Sequence, residues 1–217
     1  MNLEHVSEYN REQWSSFQAI LQACQMLSPS VKEELLASLD PYLKFRRELD
    51  AFQEEYFTPI CRPACYETRL SACCGFESIF TFFADEVITF LVATPEELSR
   101  LFDVLQRPNK TTHCVYLGAE GCLWKMRPIS CAMFFCDEAR KTLFKRSPEA
   151  EQLWLDFQGR EQTFTRPTQK ILFDDLEAFF IGLKADSPHM YYHKSPGLLR
   201  LKAQSGLNGT PRVRPSK

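Results

Sequence analysis

Two cysteine-rich stretches dominate this sequence: CRPACYETRLSACC at 61–74 and CVYLGAEGCLWKMRPISCAMFFC at 114–136. They hold all but one of the nine cysteines, namely Cys61, Cys65, Cys73, Cys74, Cys114, Cys122, Cys131 and Cys136. A free cysteine is usually an isolated, small apolar core residue. Grouped thiols with short spacers indicate instead that the side chains converge, either on each other as disulfides or on a metal.

The composition favours the metal over disulfides. The chain has 217 residues, 44% hydrophobic and 25% charged, so it can build a core without covalent staples. Its N-terminus lacks the basic and apolar regions of a secretory signal. The most apolar stretch, 79–93, contains Asp85 and Glu86 and is too short to cross a bilayer. We therefore expect a cytoplasmic protein without membrane contact, in which thiols stay reduced.

The net charge of −2 is unevenly distributed along the chain. From Ser187 onward there is no acidic residue, and the basic ones are Lys194, Arg200, Lys202, Arg212, Arg214 and Lys217. These charges are spaced rather than packed in a run, so we do not expect nucleic acid as a partner. We predict a basic flexible tail over 187–217, and the expected partner or substrate is an unidentified protein.

Apolar periodicity and capping signals predict a mostly α-helical chain. The predicted helices cover residues 7–27, 31–39, 41–57, 75–93, 95–107, 148–160 and 167–184. Capping boxes are expected where Ser30 precedes Glu33 and where Thr94 precedes Glu97. Asp40 is predicted to cap the third helix and Pro59 to end it.

Three further features concern single residues. Cys24 lies on the apolar face of the first helix, which indicates a core position rather than a ligand. His113 is a candidate ligand or proton carrier, or else an exposed residue at the start of a hairpin. His189 and His193 are four residues apart, and we interpret them as a surface pair because they lie beside prolines near the basic end.

The second cysteine stretch has its own local structure. Two β-prone runs flank Gly118–Gly121, which predicts a hairpin with Cys114 and Cys122 on its two arms. A helix carrying Cys131 and Cys136 is expected to follow. Because these two thiols are five residues apart, a straight helix would splay them by about 140°. Either the helix is broken between the two cysteines or the two thiols belong to different sites.

The adjacent pair Cys73–Cys74 raises a similar question. Neighbouring side chains diverge by about 100° in a helix and point oppositely in a strand. One thiol could bind while the other packs, or the two could reach different centres. Eight thiols thus form one four-thiolate site with spares, or two sites. Four thiolates suit zinc and iron–sulfur clusters alike, and the CxxC pairs of a zinc ribbon are absent.

The pattern resembles the YkgJ-type cysteine-cluster proteins, also called the CxxCxxCC family of zinc- or iron-chelating domains. The order and number of cysteines over 61–136 agree with that family, as does Arg127-Pro128 before Cys131. The spacer between Cys65 and Cys73 is longer than the family's, and Trp124 stands where tyrosine is common. The resemblance implies that the eight cysteines bind zinc or an iron–sulfur cluster such as 4Fe-4S in a bacterial cytosolic protein.

The sequence therefore predicts one mostly helical domain around a Cys-rich metal centre, with a short β-hairpin. We expect N-terminal helices over 1–57, the cysteine-cluster core over 58–140, C-terminal helices over 141–186 and the tail. The leading hypothesis is an iron–sulfur protein with a redox, sensing or unassigned enzymatic role. The alternative is a structural zinc module for protein interaction. A lysine methyltransferase-like activity is a weaker third, since flagellin lysine methylases resemble the family in their cysteine motif.

Overall fold

The computed structural model describes residues 5–75, 80–108 and 111–207. The chain is mostly α-helical, with one short two-stranded antiparallel sheet. The α-helices are α1 (Glu8–Gln25), α2 (Pro29–Ser38), α3 (Asp40–Phe52), α4 (Thr58–Cys61), α5 (Phe83–Val92), α6 (Pro95–Leu105), α7 (Ile129–Ala132), α8 (Asp137–Arg146), α9 (Pro148–Thr165), α10 (Leu172–Gly182), α11 (Tyr191–Lys194) and α12 (Pro196–Gln204). The strands are β1 (Leu117–Gly118) and β2 (Gly121–Cys122).

Helix α5 lies at the centre of the fold. Every residue from Phe83 to Thr89 is buried, and the helix packs against α1, α2 and α10. A large apolar cluster surrounds it and extends through α3, α8 and α9. A smaller cluster joins α1, α6 and the hairpin, where Phe17 makes edge contacts with Phe102 and Trp124. The core thus has two parts, and the cysteine stretches lie against both of them.

The segment after α3 continues as helix, so the prediction that Pro59 ends it is wrong. A π-helical turn covers Gln53–Phe57, and the Thr58 amide donates to the Gln53 carbonyl five residues back. A π-turn shifts the pairing by one residue, so Pro59 falls in the first turn of α4, where a missing N–H is tolerated. A second π-turn, Arg62–Tyr66, follows. The first cysteines of the 61–74 stretch, Cys61 and Cys65, therefore lie in helical turns.

The capping predictions have mixed outcomes. Thr94 and Glu97 form the predicted capping box of α6, with N···O distances of 3.2 and 2.9 Å. Helix α2 begins earlier than predicted, because the Ser28 hydroxyl rather than Ser30 accepts the Val31 amide at 3.3 Å. Asp40 is the first residue of α3 rather than its N-cap. Both α2 and α3 have a proline in the first turn, where its missing N–H costs no hydrogen bond.

Helix α5 is shorter than the predicted 75–93. It begins at Phe83, and residues 76–79 lie outside the described part of the chain. Phe80, which the predicted helix would include, is 42% exposed. The reason for the late start is a local hydrogen bond: the Asp85 carboxylate accepts the Phe82 amide at 3.2 Å and so satisfies a free N–H at the helix N-terminus.

The hairpin prediction is confirmed, and Leu117 pairs with Cys122 and Gly118 with Gly121. Cys122 lies in β2, while Cys114 precedes β1 by three residues. The helix expected to carry Cys131 and Cys136 is broken between them, which is one of the two alternatives that their spacing left open. Cys131 lies in α7 and Cys136 is the N-cap of α8.

Two helices, α11 and α12, lie in the segment for which the sequence predicts a flexible tail. Tyr192 is fully buried, and the Lys202 ammonium donates to Asp174 at 2.8 Å. Residues 208–217 of the predicted tail lie outside the described residues.

The surface interpretation of His189 is wrong, because its side chain is buried and its Nδ1 lies 2.6 Å from Glu86 Oε1. His193 is half-buried and bonds to Glu177 at 3.0 Å.

None of the helices in the described ranges has both the length and the apolar character needed to cross a membrane.

The start of α2 provides a direct test of the capping correction. Because Ser28 satisfies the Val31 amide, we expect Ser28→Ala to lower the free energy of unfolding by about 1 kcal/mol. Ser30→Ala is the matched control, and we expect a change within about 0.5 kcal/mol. Urea unfolding of the two variants and the parent protein measures both. A larger loss in Ser30→Ala would mean that the helix begins at Ser30 after all.

Candidate metal centre

The first cysteine stretch folds back on itself. Cys61 ends α4 and Cys65 lies in the π-turn that follows. The chain then reverses through Arg69 and Ser71, which have φ angles of 61° and 40° in the left-handed region. The reversal is held by hydrogen bonds to Cys65: its carbonyl accepts the Ser71 amide at 3.1 Å. Its sulfur accepts the Ala72 amide at 3.3 Å. The return brings Cys73 within electrostatic range of Cys61.

Cys136 reaches the same place from another part of the chain. It caps α8, and α8 packs against α4 and the preceding π-turn. The residue before it, Phe135, stacks on Phe57 with ring centroids 3.5 Å apart. Cys61 and Cys136 both pack against the large apolar cluster, and their thiols interact electrostatically. Cys65, Cys73 and Cys136 thus all lie within electrostatic range of Cys61.

The other cysteines gather around the hairpin. The Cys74 carbonyl accepts the Cys114 amide at 2.7 Å, and Gly75 and His113 form a β-bridge beside it. The Leu117 amide donates to the Cys114 carbonyl at 3.0 Å, and the cross-strand partner of Leu117 is Cys122. The Cys74 thiol interacts electrostatically with those of Cys114, Cys122 and Cys131.

The segment before Cys131 is held by buried polar side chains. Asp85 Oδ1 accepts the amide of Ile129, the first residue of α7, at 2.9 Å. Arg46, 1% exposed, donates to the Arg127 carbonyl at 2.8 Å and to the Tyr42 hydroxyl at 3.0 Å. These contacts fix the main chain two residues before Cys131, so the position of its thiol depends on α3 and α5.

Arg127 acts electrostatically on thiols from both cysteine stretches. Its guanidinium hydrogen-bonds Gln53 and lies 3.5 Å from Asp50 of α3. Its positive charge favours the thiolate forms of Cys73, Cys122 and Cys131. In the structure its side chain donates, and its carbonyl anchors the chain.

Several thiols hold their protons more tightly than an ordinary cysteine. Burial, together with neighbouring thiols, raises the pKa of Cys61 and Cys131 to about 11 and that of Cys114 to about 12. A hydrogen bond within the doublet raises the pKa of Cys73 and lowers that of Cys74. Only thiolates ligate metals, so a bound cation would have to displace these protons.

The thiols do not converge on a single point in this structure. Among the residues that the structure describes, no three His, Cys, Asp or Glu side chains are close enough to hold a metal ion. Zinc–sulfur bonds are about 2.3 Å long, so coordination would require the loop and the hairpin to draw in. The donor chemistry fits such a group, because the side chains brought together are thiols, the ligands shared by zinc and iron–sulfur sites.

The remaining candidates lie apart from these thiols or serve other bonds. Cys24 packs against the large apolar cluster, as its place on α1 predicted. The His113 ring nitrogen Nε2 lies 3.1 Å from the Leu70 carbonyl and so ties the loop to the hairpin. Sequence reasoning missed Asp85 and Arg46 as positioning residues. The one available signal for Asp85 was its place, beside another acid, in the most apolar stretch of the chain.

A cavity of about 660 Å³ opens beside Cys114. It lies between the end of α6 and β1, and its lining includes Val104, Arg107, Val115, Leu123 and Cys114. Cys114 therefore lines a cavity of mixed polar and apolar character that also holds the Arg107 side chain.

Asp85 gives a pH-dependent test of how the Cys131 segment is anchored. Burial raises the pKa of Asp85 from 3.8 to about 7, against the lowering effect of its hydrogen bonds. The folded state therefore binds more protons between these values, and its stability falls as pH rises through that window. The fall amounts to at most about 4 kcal/mol, at 1.36 kcal/mol per pH unit.

We expect Asp85→Asn to remove this part of the pH dependence, measured by urea unfolding between pH 4.5 and 8. The variant also loses an acceptor, so it should be less stable by about 1–3 kcal/mol where Asp85 is protonated. Asp137→Asn, at an exposed acid of α8, is the control and should follow the parent protein. An unchanged slope in Asp85→Asn would contradict the burial of an ionisable Asp85.

Comparison with known proteins adds no relative. No family model matches the chain, and no curated protein or solved structure shows significant similarity to it. The resemblance to the YkgJ-type family therefore stays a prediction from the cysteine pattern.

Proposed function

We propose that this chain is a metal-binding protein that holds an iron–sulfur cluster on its clustered cysteines. One observation carries the proposal: thiols from separate stretches lie within electrostatic range of one another, Cys61 of Cys65, Cys73 and Cys136, and Cys74 of Cys114, Cys122 and Cys131. Free thiols placed by core packing have no reason to gather in this way, because a cysteine that serves only as an apolar residue packs alone, as Cys24 does.

The choice of iron–sulfur over zinc rests on ligand pattern and accessibility. The chain lacks the paired CxxC ligands of zinc ribbons. Cys73 and Cys122 are exposed and the other clustered thiols are partly exposed, so a bound cluster would be open to electron exchange. The role we propose is redox transfer or sensing in the cytoplasm, where thiols are kept reduced. The cavity beside Cys114 offers a place for a small partner group to approach.

Structural zinc is the second candidate, and the reversal at 62–75 favours it. This loop holds two non-glycine residues in the left-handed region and an exposed Leu70. Positive φ angles at such residues cost free energy, and the loop buries little apolar surface in return. A metal that bridges Cys65 to other segments would offset that cost, as structural zinc does in small domains.

Metal, labile sulfide and visible absorption of protein purified without oxygen test the proposal. We expect iron and acid-labile sulfide with a brown colour. A colourless protein that contains zinc and unfolds when the zinc is chelated would instead support the structural zinc site and exclude the iron–sulfur cluster. Cys24→Ser is the matched control and should keep the full metal content. Protein that carries neither metal, or that keeps its metal after replacement of all eight clustered cysteines by serine, would contradict the proposal.

A further inference from the structure

We infer that residues 187–204, here called the C-terminal strap, dock on α5 and α10 through a buried histidine–carboxylate pair, and that loss of the pair's proton opens the strap locally. The strap comprises α11, α12 and the four residues before them. It contains no acidic residue, and its two histidines pair with carboxylates of the helices beneath it. Docking needs no bound metal, so this inference goes beyond the proposed function and does not rest on it.

The pair at the start of the strap is buried within a closed hydrogen-bond network. His189 Nδ1 lies 2.6 Å from Glu86 Oε1, and the two side chains are 5% and 0% exposed. The second oxygen of Glu86 accepts the Ser16 hydroxyl, and the Ser187 hydroxyl donates to Ser16 at 2.7 Å. The Ser187 oxygen accepts the His189 amide at 3.0 Å. This network joins the strap to α1 and α5.

A second set of contacts holds the rest of the strap to α10. Glu177 is fully buried, and one of its oxygens accepts the Tyr192 amide at 3.3 Å. The other oxygen lies 3.0 Å from His193 Nδ1. Further along, the Lys202 ammonium donates to Asp174 at 2.8 Å. The strap is therefore held by carboxylates of α5 and α10 as well as by apolar packing.

Protonation of the Glu86–His189 pair is linked to docking. Burial raises the pKa of Glu86. Burial lowers the pKa of His189, but the charge and hydrogen bond of Glu86 outweigh it and raise that pKa above 6.5. The docked pair thus binds more protons than the same groups in water. Docking is therefore favoured at low pH and weakens as pH rises, from 4.5 upward for Glu86 and from 6.5 upward for His189.

The other titratable groups around the pair do not oppose this linkage. Glu12 of α1 also raises the pKa of His189. On α10, burial raises the pKa of Glu177, which acts in the same direction. Three tyrosines interact with Glu86, but burial raises their pKa values well above 10, so they stay neutral near physiological pH: Tyr9, Tyr116 and Tyr191.

The strap also contacts the chain that leads to the second cysteine stretch. Tyr191 stacks on Phe80 with ring centroids 4.6 Å apart. The Phe80 carbonyl accepts the hydroxyl of Ser130, the residue before Cys131. Opening of the strap removes the stacking contact that covers Phe80, so the segment around Ser130 should open with it.

Amide hydrogen exchange of the purified full-length chain, followed by mass spectrometry between pH 5.5 and 8.5, tests the inference. The measured quantity is the protection of the strap relative to α3, corrected for the intrinsic pH dependence of exchange. The reference to α3 is needed because Asp85 titrates in the same range and changes the stability of the whole core. We expect relative protection to fall above pH 6.5, by up to about tenfold per pH unit, in the strap and around Ser130.

His189→Asn separates titration from packing, because it keeps a donor near the Nδ1 position but cannot gain or lose a proton. Its relative protection should stay constant where that of the parent protein falls. His5→Asn, at an exposed histidine, is the matched control and should follow the parent. Glu86→Gln is the second variant, used if circular dichroism shows that His189→Asn fails to fold, and it should also abolish the fall.

Two results would overturn the inference. One is a strap whose relative protection in the parent protein is unchanged between pH 5.5 and 8.5. The other is an equal fall in the parent protein and in the folded variant of the pair. Neither result bears on metal content, so the proposed function would stand or fall separately on the metal and sulfide analysis.

Discussion

Burial of polar side chains on α5 is the constraint on which the other parts of the structure depend. Asp85, Glu86 and Thr89 are fully or almost fully buried in the middle of the fold. Burying a carboxylate without partners costs several kcal/mol, so each of these groups must find hydrogen bonds in the surrounding segments. The segments that supply them are thereby fixed in place around one helix.

The three side chains reach three parts of the chain. Asp85 holds the start of α7, and the Thr89 hydroxyl donates to the Met126 carbonyl at 3.1 Å. Glu86 accepts a hydrogen bond from Ser16 of α1 and pairs with His189 before α11. Burial opposes the protonation of His189, but the charge and hydrogen bond of Glu86 together raise its pKa above the ordinary value. A single helix thus connects the N-terminal helix, the second cysteine stretch and the C-terminal helices.

The positions of the thiols follow from this arrangement of segments around α5. The hairpin group depends on α5 through Asp85, while the first group depends on α3, its π-turn and α8 through Phe57 and Phe135. Both anchors belong to the large apolar cluster, whereas Cys114 packs against the smaller one. Arg127 lies at the junction, held by Gln53 and Asp50 on one side and by Arg46 on the other. The doublet and this arginine are where a change in one group would be felt by the other.

The sequence could predict those features that arise from neighbouring residues. The capping box of α6, the hairpin at Gly118–Gly121 and the core position of Cys24 all follow from local patterns and are present in the structure. The sequence predictions failed where the interacting residues are distant in the sequence. Pro59 reads as a helix end because its local effect on Thr58 is known, whereas the π-turn that accommodates it is stabilised by packing against α8.

By itself the sequence determined the mostly helical class, the residues available as ligands and the thiol chemistry they share, because composition, periodicity and spacing are local properties. Only the tertiary structure decided which thiols lie together, that His189 is buried against Glu86, and that Asp85 and Arg46 position the Cys131 segment. The physical reason is that these relations join residues up to about a hundred positions apart. Such contacts form only when burial of the apolar core makes unpaired polar groups costly and so selects one arrangement of the helices.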